Sequence, residues 1–140
     1  MKLKELFDNY VALDNEARIQ EGQKACEDLA NALKGIGQNE RDIKETVCLF
    51  ARLAAGSDHF ASDEEYELFL KTTGLNLTKN EFSNLVQTAD RGDFIATMDA
   101  VIDSLNPAAK NAALRFVAAF LASDGNLNIV EEALFSKLED

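Results

Sequence analysis

Two stretches of this chain are apolar on nearly every side, and they limit the fold more than anything else in it. Residues 107–123, PAAKNAALRFVAAFLAS, become apolar all round after a mixed first turn and are then broken only by Arg115. Residues 40–56 behave alike: they begin polar, turn apolar, and are broken only by Arg52. A helix without a polar face must be buried on all faces. The longest uninterrupted apolar run, Phe116 to Ala122, is far short of the roughly 20 residues that a bilayer demands. Protein is therefore expected to surround both helices, as a central pair wrapped by the rest, with no insertion into a membrane.

The wrapping is written as amphipathic helices. Leu3, Leu6, Phe7, Tyr10 and Val11 recur at the spacing of one helix face. Asp14 is placed to cap a second helix, whose stripe of Ile19, Cys26, Leu29 and Leu33 ends at Gly35–Gly37. A further helix over about 91–105 carries Phe94, Ile95, Met98, Val101, Ile102 and Leu105 on one face. Ser62-x-x-Glu65, Thr78-x-x-Glu81 and Asn128-x-x-Glu131 have the form of capping boxes. Leu77 and Phe82 stand where a hydrophobic staple would put them, and Pro107 suits a first helical turn. No run shows strand alternation, and 1 proline and 7 glycines in 140 residues are few for a turn-rich fold. The expected fold is all-α: one compact domain over 1–140, of seven or eight helices, with two pseudo-symmetric halves around two central helices. Residues 1–38 form an N-terminal helical extension and 39–140 a duplicated core.

The charge balance excludes some functions. With 25 acidic against 14 basic side chains the net charge is -11, which opposes binding to nucleic acid. The segment MKLKELFDNY has no apolar stretch after its lysines and does not read as a secretory signal. Cys26 and Cys48 form no CxxC pair and are expected as reduced thiols used as small hydrophobes in a cytoplasmic protein. His59 is the only histidine, so neither a zinc set nor a thiol–imidazole pair is expected. Gly35-x-Gly37 lacks a preceding strand and the rest of a phosphate-loop fingerprint. No catalytic residue and no organic cofactor is predicted. Arg52 and Arg115 are expected to snorkel or to pair with nearby acids.

An internal repeat gathers the remaining polar signals. At an offset of 66 residues Phe50 matches Phe116, Ser57 matches Ser123 and Asp58 matches Asp124. Glu65 likewise matches Glu131, Leu68 matches Leu134 and Phe69 matches Phe135. Each half is thus an apolar helix, an acidic elbow and a second helix, as a duplication would leave them. The stretch beginning at Asp124 is not an EF-hand: Asp124, Asn126 and Asn128 fit the first three ligand positions, but Ile129 and Phe135 occupy those of the glycine and the glutamate. Two readings stay open. The glutamates can cap the helices that follow, and the aspartates can accept backbone N–H groups as in an Asx-turn. Alternatively, Asp58 and Asp124 lie near helix C-termini, where the dipole disfavours a carboxylate, and a hard divalent cation would stabilise them. Asp63, Glu64 and Asp93 could extend such a cluster.

The apolar helix followed by SDGNLNIVEEALF resembles the TerB-like domain associated with tellurite resistance and stress operons. The resemblance spans about residues 40–140. The family phrase falls on Asp124, Gly125, Leu127, Asn128 and Glu131, and in part on Asp58, Ala61, Ser62 and Glu65, with His59 where glycine is expected. The resemblance implies a non-enzymatic module that binds metal through acidic clusters or docks a partner protein in a membrane-associated stress complex. It makes Asp58, Glu65, Asp124 and Glu131 the expected ligands of a divalent metal ion. The alternative is a helical interaction or homodimerisation domain in which the acids only cap helices. Its surface would then be Leu6, Phe7 and Tyr10.

Overall fold

The computed structural model describes residues 2–55, 63–74, 78–81, 91–124 and 132–139, and no strand occurs among them. Seven helices follow in order: α1 (Leu3–Val11), α2 (Asn15–Gly35), α3 (Glu40–Ala55), α4 (Asp63–Thr73), α5 (Arg91–Asp103), α6 (Pro107–Asp124) and α7 (Glu132–Glu139). Residues 79–81 are also helical. The all-α expectation holds.

Helix α6 is the axle. Every residue from Phe116 to Ala122 is buried. That run covers about two turns at 3.6 residues each, so every side of the helix is covered there. The cover comes from α2, which packs against α6 most extensively, and from α1, α3, α4 and α7. Alanines at 109, 112, 113, 118, 119 and 122 keep the α6 surface low, which lets neighbouring backbones come close. Phe116 and Phe120 meet edge to face at 5.0 Å, and Phe69 of α4 meets Phe120 edge to face at 6.4 Å.

The expected partner, α3, is built differently. Val47, Phe50, Ala51 and Leu53 are buried, while Glu40, Arg41, Asp42, Lys44 and Glu45 of its first half are exposed. Its first turns reach the core only through Ile43, and burial begins at Thr46. Helix α2, read from sequence as a thin outer stripe, instead presses Ala25, Cys26, Leu29 and Leu33 onto the centre. Gly22 is buried on the same helix. The stripe looked thin because small residues do part of the packing, and hydropathy gives them little weight. Helix α5 leans mainly on α7 and buries Met98 and Ile102, with Leu105 just beyond its end.

Helix ends carry explicit caps. Asp14 accepts the Ala17 N–H at 2.8 Å, Asn39 the Asp42 N–H at 2.9 Å, and Asn106 the Ala109 N–H at 2.8 Å. The Thr78–Glu81 box closes as expected: Thr78 Oγ1 accepts the Glu81 N–H at 3.2 Å, and Glu81 Oε1 accepts the Thr78 N–H at 3.4 Å. The Ser62 and Asn128 boxes and the Leu77–Phe82 staple lie outside the described residues or side chains. Helix α2 ends in a Schellman motif, in which Gln38 N–H donates to Leu33 O and Gly37 N–H to Lys34 O, both at 3.1 Å. Gly37 takes φ +97° there, the left-handed conformation this motif requires.

Two substitutions separate packing from backbone conformation. Phe116→Ala is expected to cost about 3–5 kcal/mol in denaturant unfolding, because the ring is fully enclosed and the void is hard to collapse. Gly37→Ala should cost only about 1 kcal/mol, since a Cβ there meets nothing within 4 Å and the loss is conformational alone. Equal costs at the two positions would contradict the central place given to α6.

Candidate functional site

The four expected metal ligands fall at the two elbows. Asp58 and Glu131 lie outside the described residues, as do the side chains of Glu65 on α4 and of Asp124, the last residue of α6. His59 and the side chains of Asp63, Glu64, Asp93 and Arg52 lie outside them too. Among the described residues no group of three histidine, cysteine or acidic side chains is placed to hold a metal ion.

The described acids show what carboxylates do elsewhere in this chain. Asp28 of α2 receives the Arg115 guanidinium of α6 at 2.8 Å, and Asn111 Oδ1 accepts from Arg115 Nε at 3.0 Å. Arg115 thus pairs with an acid, as its isolation on an apolar helix implied. Asp99 and Asp103, one turn apart on α5, both hold the Lys137 ammonium of α7 at 2.5 Å. Hydrogen bonds to Asp103 and then Asp99 raise the Lys137 pKa. Those two carboxylates would repel each other on a bare helix, and a cation between them removes the repulsion.

Three further side chains close the ends of helices other than their own. Arg18 of α2 donates to the carbonyls of Tyr10 (3.1 Å), Val11 (3.3 Å) and Leu13 (3.0 Å), which covers the C-terminus of α1 with a positive charge. Gln23 donates to the Lys71 carbonyl in the last turn of α4 at 2.8 Å. Glu139 of α7 accepts the Leu3 N–H at 2.9 Å, placing a carboxylate at the positive end of α1. The local helix signals did not mark these three, because each contact joins separate elements.

Leu6, Phe7 and Tyr10 are not a docking surface. All three are buried, on a helix packed against α6. The amphipathic face of α1 is spent on the chain's own core. Of the residues read onto that face, Val11 alone stays exposed. Burial raises the Tyr10 pKa, with Glu21 adding to the effect and Arg115 opposing it.

The thiols are likewise packing groups. Cys26 is buried and Cys48 half-buried. Burial pushes each thiol up to about 11, reinforced at Cys26 by Cys48 and at Cys48 by Glu45. A thiol so held is a poor nucleophile at neutral pH. No helix among the described residues is long and apolar enough to cross a membrane. No family model, curated protein or solved structure matches the chain.

A pH dependence follows from the raised thiols. Between the ordinary value of 9.0 and about 11 the folded chain keeps thiol protons that the unfolded chain has released. Stability is therefore expected to fall as pH rises through that window. Denaturant melts of the Cys26→Ala, Cys48→Ala double variant should show a flatter decline. An unchanged slope would contradict the assignment.

Proposed function

We propose that this chain is a non-enzymatic, TerB-like module of the cytoplasmic stress response that gathers a divalent cation at its acidic elbows and docks a partner protein. One observation carries the reading. The order of apolar helix, elbow and second helix occurs twice, as α3 to α4 and as α6 to α7. The aromatic anchors 66 residues apart, Phe50 with Phe116 and Phe69 with Phe135, are buried in both copies. Each half carries in its sequence an aspartate and, seven residues later, a glutamate: Asp58 with Glu65, and Asp124 with Glu131. Carboxylate oxygens suit a hard cation such as calcium or manganese. The chain's excess negative charge raises the local concentration of cations and of basic partner surfaces. The partner reading places the module in a membrane-associated stress complex, bound through protein and not through lipid.

A second reading has its own support. Asp14 and Glu81 are helix caps, and Asp28, Asp99 and Asp103 are paired. Acids that cap or pair elsewhere in the fold can do the same at the elbows, which would make them structural only.

Calorimetric titration with calcium, manganese and zinc tests the first reading. Heat that vanishes in the Asp58→Asn, Asp124→Asn double variant is expected for at least one ion. No heat at millimolar concentration of any of the three would contradict it. Stability lost in Asp124→Asn without any dependence on ions would support capping.

A further inference from the structure

Helices α2 and α3 pack together and are joined by the four-residue connection 36–39. The Thr46 hydroxyl of α3 donates to the Asp42 carbonyl at 2.8 Å and lies 3.1 Å from Gln38 Oε1, which fastens the connection to α3. Cys26 stands eleven residues before Gly37 and Cys48 eleven residues after it. In a helical hairpin, equal distances from the turn bring two residues to the same height, because each helix advances about 1.5 Å per residue. Both side chains belong to or pack against the same core cluster. Cys48 is also a group whose field bears on the Cys26 thiol as the thiols ionise. The two cysteines, 22 residues apart in sequence, thus stand at matching heights on two packed helices.

We propose that a peroxide oxidant joins Cys26 Sγ to Cys48 Sγ in a reversible intrachain disulfide that staples α2 to α3. The more exposed Cys48 reacts first: its thiolate attacks one peroxide oxygen, the O–O bond breaks, and the sulfur becomes a sulfenic acid as hydroxide leaves and takes up the thiol's proton. The Cys26 thiolate then attacks that sulfur, the S–O bond breaks, and a second water forms. Two thiols and one hydrogen peroxide give one disulfide and two waters. Burial keeps both thiols protonated at neutral pH, so the reaction is slow there and faster in alkali. Such a staple ties the hairpin without touching the elbows, so it is independent of any bound cation.

The test treats the dilute full-length protein with hydrogen peroxide at pH 7 and pH 9. The expected product is a monomer about 2 Da lighter, without free thiols, that yields a peptide linking residues 25–34 to 45–52 after trypsin. Its formation should be several-fold faster at pH 9, its Tm should exceed that of the reduced protein, and dithiothreitol should reverse both changes. Cys26→Ser and Cys48→Ser should each lose the light product and gain oxygen or dimerise instead. Wild-type protein that only gains oxygen, forms linked dimers, or keeps both thiols after exhaustive treatment would overturn the proposal.

Discussion

Burial of one unbroken apolar band on α6 is the constraint on which the rest of the structure depends. Seven successive residues without a polar side chain, Phe116 to Ala122, leave no face of the helix fit for water. Neighbours must therefore stand on all sides, and a 140-residue chain of helices can supply them only by wrapping. The alternation of alanine with phenylalanine, valine and leucine sets how they stand. Buried alanines keep the surface of α6 low, while Phe120 reaches Phe69 of α4 and stacks edge to face on Phe116. Apolar burial at about 25 cal/mol per Å² makes the enclosure of this band stabilising.

A wrapped helix must be held by ends as well as by faces. Short helices such as α1 have little stability of their own. In this fold their orphan backbone groups are met by side chains from elsewhere: Arg18 at the C-terminus of α1, Glu139 at its N-terminus, Gln23 at the C-terminus of α4. Glu139 and Lys137, two residues apart on α7, tie that helix to α1 and α5 respectively. The first and last helices are thereby linked. Much of the acidic charge visible in the described residues is used in this way, as caps and as partners for Arg115 and Lys137.

What was legible in the sequence was whatever depends on period and neighbours. The 3.6-residue spacing in α1 and α5, the caps at Asp14 and Thr78, the glycine stop after α2 and the first-turn proline of α6 all follow from residues within a few positions of one another. What depends on tertiary partners was hidden. Helix α2 looked peripheral because Gly22 and Ala25 carry little hydropathy, yet both are buried on the helix that packs most extensively against α6. Helix α3 was read with α6 as one of a central pair, but Glu40, Arg41, Asp42, Lys44 and Glu45 of its polar start remain at the surface. The face of α1 could be read as amphipathic, not as inward or outward, and Leu6, Phe7 and Tyr10 turn inward. The acidic elbows were visible as a repeated phrase, whereas Arg18, Gln23 and Glu139 had no local signal because their partners are elsewhere in space.

Asp124 sits where α6 leaves its enclosed band, and the α3–α4 connection follows the second buried helix in the same order. Amide hydrogen exchange tests the organising role of α6 most directly, because it reports the opening free energy of each backbone bond. The amides of Phe116 to Ala122 are expected to exchange last and only through global unfolding, behind those of α1, α3 and α5. Exchange in that band as fast as in α1, by local opening, would contradict the place of α6 at the centre of the fold.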